Sequence, residues 1–228
     1  MQKFLITGAS GGIGLALAHK LQARGVALAL TGRTVAPLRE QFPSATVIEA
    51  DLVAANEAAR VVSEASSALG GLDCVVHLAG IGLMKSVAET TDEEFSHVVN
   101  VNLRASFLVA QAACAVMAEQ KHGLFITVPG ILGRAVMKNA AAYSASKYGV
   151  TGLIKSFAQE YSRSGIRFAL FFLGGVDSTF WDNLSMKVQR DKMIPVDTAA
   201  DLILQAIDAP PHLVLSEVTM QPESHQLV

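Results

Sequence analysis

Thr7-Gly8-Ala9-Ser10-Gly11-Gly12-Ile13-Gly14 joins a short apolar run, Lys3-Phe4-Leu5-Ile6-Thr7, to an alanine-rich segment of helical period. Glycine lacks a Cβ, so this loop can turn tightly and let a pyrophosphate reach the backbone. A helix starting at its end aims unpaired N–H groups and a positive dipole at such an anion. The spacing is Gly-x-x-x-Gly-x-Gly, different from the other common dinucleotide fingerprint, Gly-x-Gly-x-x-Gly. A glycine triplet alone is common in βα turns. Its place between an N-terminal buried strand and a helix makes Gly8, Ser10, Gly12, Ile13 and Gly14 candidate contacts to a dinucleotide.

Outward from this loop, short apolar runs alternate with helical periods. Strands are expected at residues 3–7, 26–31, 46–49, 74–78, 124–128, 167–173 and 212–216. Helices are expected within 14–24, 54–69, 92–120 and 142–164, where apolar residues recur three and four apart. Continuous apolar strands imply a sheet covered on both faces. The alternation predicts an α/β fold: a Rossmann-like, doubly wound, three-layer α/β/α arrangement around a mostly parallel seven-stranded sheet. No linker or repeat divides residues 1–228, so a single dinucleotide-binding domain is expected. Residues 174–195 are the least periodic stretch and follow a strand end, where open parallel sheets bind ligands. They are read as a substrate-binding loop or lid.

Composition narrows the classes. Hydrophobic residues are 51% of the 228, charged residues 17%, and the net charge is -2, which suits a large core and no nucleic-acid face. No secretory signal is read, and no uninterrupted apolar run reaches the roughly 18 residues that span a bilayer. A cytoplasmic protein with no membrane partner is expected. Cys74 and Cys114 sit in an apolar strand and an apolar helix and read as reduced core residues. The histidines have no metal spacing, so no metal is expected.

The second strand ends in Leu30-Thr31-Gly32-Arg33. An acidic residue there would bond the ribose hydroxyls of NAD. Arg33 can instead meet a 2′-phosphate, or stand as an exposed turn residue. Asp51-Leu52 ends the third strand, and Asp51 either meets an adenine ring or caps the next helix. Farther on, Tyr143-Ser144-Ala145-Ser146-Lys147 opens a helix on which Tyr143 and Lys147 share a face. An ammonium beside a tyrosine favours the phenolate and draws it toward useful proton transfer.

Taken jointly, these motifs resemble the short-chain dehydrogenase/reductase family over almost the whole chain. The resemblance implies hydride transfer between a nicotinamide and a carbonyl or alcohol. Tyr143 would be the proton donor, Lys147 would bind ribose, and Asn102 in Val99-Asn100-Val101-Asn102-Leu103 would be a structural and relay residue. It places Ala79 and Gly80, in His77-Leu78-Ala79-Gly80, beside the cofactor. Gly174, Val176 and Ser178 would hold the nicotinamide carboxamide. With Arg33, it implies NADP(H), a small carbonyl or alcohol substrate, and a homodimer or homotetramer packed through residues 103–120 and 142–164.

Some positions depart from the family pattern. The serine it carries about thirteen residues before the tyrosine corresponds to Gly130. Thr127 lies too early to replace it, and a stand-in role for Ser144 or Ser146 has no support in the sequence. His77 stands where the family has an asparagine and reads as a core or brace residue. Leu173 replaces the proline before Gly174. Two readings follow: an oxidoreductase with altered substrate handling, or a catalytically impaired NADP(H)-binding protein acting as a sensor or partner subunit.

Overall fold

Six of the seven expected strands form, within a residue or so of their expected ends, in the computed structural model, which describes residues 1–184 and 186–227. Ser185, inside the expected lid, and Val228 lie outside the described residues. The chain runs β1 (Lys3–Thr7), α1 (Gly12–Gln22), β2 (Ala27–Gly32), α2 (Ala36–Gln41), β3 (Thr46–Glu49), α3 (Glu57–Leu69) and β4 (Cys74–His77). Then come α4 (Asp92–Val99), a π turn (Asn100–Arg104), α5 (Ala105–Gln120), β5 (Gly123–Thr127), α6 (Ala141–Glu160) and β6 (Ile166–Leu173). Two short strands follow, β7 (Val176–Asp177) and β8 (Ile194–Pro195), then α7 (Val196–Ile207) and β9 (Glu217–Met220).

Seven strands form one sheet in the order β3-β2-β1-β4-β5-β6-β9, every neighbour parallel. The fold is therefore the expected Rossmann-like α/β architecture. The order reverses between β1 and β4, and their carboxyl ends diverge into a crevice at that point.

Alternating side chains feed two cores. Leu5, Val75, Phe125 and Phe172 face one layer with residues of α3, α5 and α6. Phe4, Ile6, Val76 and Phe171 face the other with α1 and α7. Each such side chain contributes on the order of 1.5–3 kcal/mol by leaving water. At the carboxyl ends the pattern breaks on a single rung. Thr31, Thr7, His77 and Thr127 pair in register across four strands, and all are buried. Polar side chains thus sit at the sheet end that carries the ligand loops.

Four departures from expectation have physical causes. The apolar run Leu213-Val214-Leu215 is not a strand: these residues are exposed, and the pairing to β6 begins one step later, Leu170↔Glu217. The run lies just past Pro210 and Pro211, and Arg167 Nη1 donates to Leu213 O at 2.8 Å. Helix α7 was not expected, yet Ala199, Ala200, Ile203, Leu204 and Ile207 are buried three and four apart against α1. The segment 174–195 is not wholly irregular, because β7 and β8 pair within it.

Finally, residues 92–120 are one helical stretch interrupted by the π turn. Its start is fixed by a reciprocal cap, Glu94 N–H to Thr91 Oγ1 and Thr91 N–H to Glu94 Oε2. By length and composition Asp92–Gln120 could cross a bilayer. Its apolar face, with Ala105, Val109, Ala113 and Met117, packs on the sheet instead.

Candidate functional site

The loops after β1, β4, β5 and β6 surround a cavity of about 1200 Å³ at the carboxyl end of the sheet. The glycine loop forms one wall. Gly8 has φ +68°, and a Cβ there would lie 2.7 Å from the Ala79 nitrogen. Only glycine lets the first loop touch the loop after β4. Gly8, Ser10, Gly12, Ile13 and Gly14 all line the cavity, as do Arg33, Gly80, Gly174, Val176 and Ser178. Asp51, Leu52 and Ala79 do not. Asp51 Oδ1 accepts from Val53 N–H at 3.2 Å, which fits a local turn contact, and Leu52 is buried in the core. Ala79 packs behind the wall against the core.

Tyr143 and Lys147 project from the first turns of α6 into the same cavity. The Lys147 ammonium lies 5.6 Å from the Tyr143 ring centre and donates to Val128 O at 3.3 Å. Burial pushes the Tyr143 hydroxyl well above its ordinary value and lowers Lys147 to about 8. The tyrosine is thus held protonated at neutral pH, and the protein's own lysine does not overcome the burial that opposes the phenolate.

The lysine shift has a sign that can be measured. A lysine whose folded value lies below its unfolded one destabilises the fold fully below pH ~8. That penalty fades as pH rises toward ~10.5, since there the unfolded chain binds more protons. Urea titrations should show wild type gaining stability relative to Lys147→Met between these limits. Parallel curves would show that Lys147 is not perturbed.

Asn102 does not line the cavity. It braces the wall behind it. Its Oδ1 accepts from Ile81 N–H at 2.8 Å, and its Nδ2 donates to Ile81 O at 2.9 Å and to Ser146 Oγ at 3.0 Å. Ser146 Oγ donates a hydrogen bond to Tyr143 O at 2.7 Å. Ser146 is therefore committed to the brace, and Ser144 is buried away from the cavity, so neither presents a hydroxyl to a substrate. Thr127 is also spent, donating to His77 O at 3.0 Å.

Gly130 also lines the cavity, with φ +71° and ψ 176°. Its N–H donates to Phe171 O at 3.2 Å. A Cβ would have room, with Leu173 O at 3.5 Å, but a side chain in that backbone region costs about 1–3 kcal/mol. The position lacks a hydroxyl, and its backbone is also set in a shape that suits glycine.

Part of the cavity lining is apolar. Phe180 rests 6.1 Å from the Tyr143 ring and edge-on to Trp181, whose Nε1–H donates to Val176 O at 2.8 Å. Met84, Leu132, Met137 and Met193 add to the apolar lining of the cavity. Sequence reading missed its last part, residues 222–227. Gln221 Nε2 donates to Leu227 O at 3.1 Å and its Oε1 accepts from Leu227 N–H at 2.7 Å, folding the chain back. Pro222, Ser224, His225 and Leu227 then line the cavity. No local pattern marks such a wall, because it depends on β9 running parallel and delivering its end to the site. Among the described residues no Asp or Glu side chain lines the cavity, which suits a polyanionic ligand.

The family described as short chain dehydrogenase matches residues 2–189. An uncharacterized oxidoreductase of Staphylococcus aureus is 29% identical over 223 residues, covering 96% of each chain. A metagenomic short-chain oxidoreductase solved in complex with NADP superposes with a TM-score of 0.83 at 29% identity, covering 97% of both chains. The alcohol dehydrogenase of the archaeon Thermococcus sibiricus, solved with 5-hydroxy-NADP, gives a TM-score of 0.89 at 24% identity over 99% of both chains, a likeness of fold. With the glycine wall, the paired Tyr143 and Lys147 and the sheet order already in place, these matches make the chain a member of the short-chain dehydrogenase family and an oxidoreductase of that type.

Proposed function

We propose that the protein is an NADP(H)-dependent oxidoreductase that moves a hydride between the nicotinamide and a carbonyl or alcohol carbon. The observation that carries this reading is the convergence of Tyr143, Lys147, Arg33 and the glycine wall on one cavity that, among the described residues, no Asp or Glu side chain lines. The bound nicotinamide supplies or accepts the hydride. Gly8, Gly12 and Gly14 leave the backbone open to the pyrophosphate. Lys147 reaches the ribose, and Tyr143 gives its proton to the substrate oxygen during reduction. Gly174, Val176 and Ser178 hold the carboxamide. Residues 174–195 form the substrate loop, and Phe180, Trp181 and Met193 favour a substrate with an apolar body. Assembly as a homodimer or homotetramer belongs to this reading, supported by the exposed Phe107 on α5 and Tyr148 on α6.

Arg33 sets the choice of cofactor. Losing a charge-assisted contact to the 2′-phosphate removes about 1.5–3 kcal/mol. Arg33→Ala should therefore weaken NADPH binding roughly 10- to 100-fold and leave NADH unchanged, as read by nucleotide fluorescence. An unchanged ratio removes the assignment.

A second reading, an impaired NADP(H)-binding protein, is favoured by Gly130 alone. A missing donor to the substrate oxygen commonly lowers rates by about 10²–10³. NADPH oxidation with a panel of aldehydes, ketones, quinones and 3-oxoacyl thioesters separates the two. Turnover of any member supports the enzyme. Tight NADPH binding with no turnover supports the sensor. Gly130→Ser is a poor arbiter, because the backbone at that position disfavours any side chain.

A further inference from the structure

Behind the cavity wall runs a buried chain of hydrogen bonds in which the position of every proton follows from its neighbours. Ser106 Oγ lies 2.5 Å from Asn102 O and 3.0 Å from His77 Nε2. A carbonyl has no proton to give, so a contact this short requires Ser106 to donate to it. With its single proton spent, Ser106 can only accept from His77, and Nε2 must carry the hydrogen. A neutral imidazole then has a lone pair at Nδ1. Thr7 Oγ1, 2.7 Å away, donates into that lone pair. Thr7 Oγ1 in turn faces the Ala79 N–H at 3.4 Å. The protons all point one way, from Ala79 through Thr7, His77 and Ser106 to Asn102.

The reverse direction fails at its last step. If Ser106 donated to Nε2, its oxygen would face Asn102 O at 2.5 Å with no proton between them. All four side chains and carbonyls sit where water cannot repair such a fault: Thr7, His77, Asn102 and Ser106 are each 2% exposed or less. The chain also joins two parts of the site that are far apart in sequence. Thr7 and Ala79 belong to the loops that meet at Gly8. Asn102 clamps Ile81 and, through Ser146, the carbonyl of Tyr143.

We infer that His77 is a positioning residue: held as the neutral Nε2–H tautomer, it ties the nucleotide loops to the Asn102 turn that braces Tyr143. Its effect on turnover rests on the function proposed above, but its tautomer does not. Burial and the nearby Lys147 charge both disfavour the imidazolium, lowering His77 to about 3. The ring therefore acts as a fixed connector and not as a proton carrier.

Long-range proton–nitrogen correlation spectra of the full chain test the tautomer directly, with the His77 signals assigned by their loss in His77→Gln. The expected result is a protonated Nε2 and an unprotonated Nδ1 that do not change between pH 5 and 8. A protonated Nδ1, or titration within that range, overturns the inference even if the protein has no measurable activity. Where a substrate is turned over, His77→Leu should lower kcat by about tenfold or more, the scale of one lost buried hydrogen bond, with little change in KM for NADPH. His77→Gln keeps a donor for Ser106 and should recover part of that loss. Equal losses in the two variants, or a change confined to KM, would reduce His77 to a packing residue. The spectrum of the wild type decides the matter if His77→Leu does not fold.

Discussion

Tyr143→Phe should abolish turnover while leaving nucleotide binding intact. The hydroxyl is the single polar group of this ring, and burial holds it protonated, so it is poised to give a proton during reduction. Positioned acids of this kind contribute about 10²–10⁴ to the rate. Phenylalanine keeps the ring against Phe180 and the cation contact to Lys147. The backbone carbonyl that Ser146 reaches is also untouched. NADPH affinity and thermal stability should then stay near wild type while kcat falls by that factor. A loss of less than tenfold would assign the proton to another group. The rate of reduction in wild type should also fall above pH ~8, as the Lys147 ammonium is lost.

Gly14→Ala is expected to destabilise the fold, against the usual trend. Inside a helix, alanine is ordinarily better than glycine by about 1 kcal/mol. Here the new Cβ would lie 2.4 Å from the Gly8 carbonyl oxygen and 3.0 Å from the Ala9 Cα. Both are backbone atoms of the glycine wall and cannot swing aside. Overpacking of this kind costs about 1–3 kcal/mol and would displace the loop proposed to receive the pyrophosphate. The control is Gly152→Ala on α6, where nothing beyond the local helix backbone lies within 4 Å of the new methyl. Urea midpoints should move in opposite directions, down for Gly14→Ala and up for Gly152→Ala. NADPH affinity should fall only in the first. A rise for both would show that the wall is softer than its contacts imply.

The sheet was legible because its strands are buried on both faces, so consecutive apolar residues marked them directly. The same rule misled at residues 213–215. There three apolar side chains stay exposed, and the true edge strand, Glu217–Met220, has only alternate residues partly covered. Helix α7 carried a readable period, but its Ala-rich face differs little from a strand-to-loop transition until α1 is seen against it. At the site, Tyr143, Lys147 and the glycines were legible because their chemistry depends on local spacing. The brace was not. Asn102 and Ser106 share one helical stretch, while Ser146 and His77 come from α6 and β4, and their protons are ordered only in three dimensions. Gly130 was half legible: the missing hydroxyl shows in the sequence, but its left-handed backbone does not.

The Gln221 clamp has a practical consequence for handling the protein. The chain enters at Met1, beside Arg24 and Asp208, at the end of the sheet opposite the cavity. It returns at Leu227 as part of the cavity wall. A purification tag or fluorescent fusion at the amino end would leave the nucleotide crevice alone. The same appendage joined directly after Leu227 would leave from the cavity wall and compete with whatever the protein binds there.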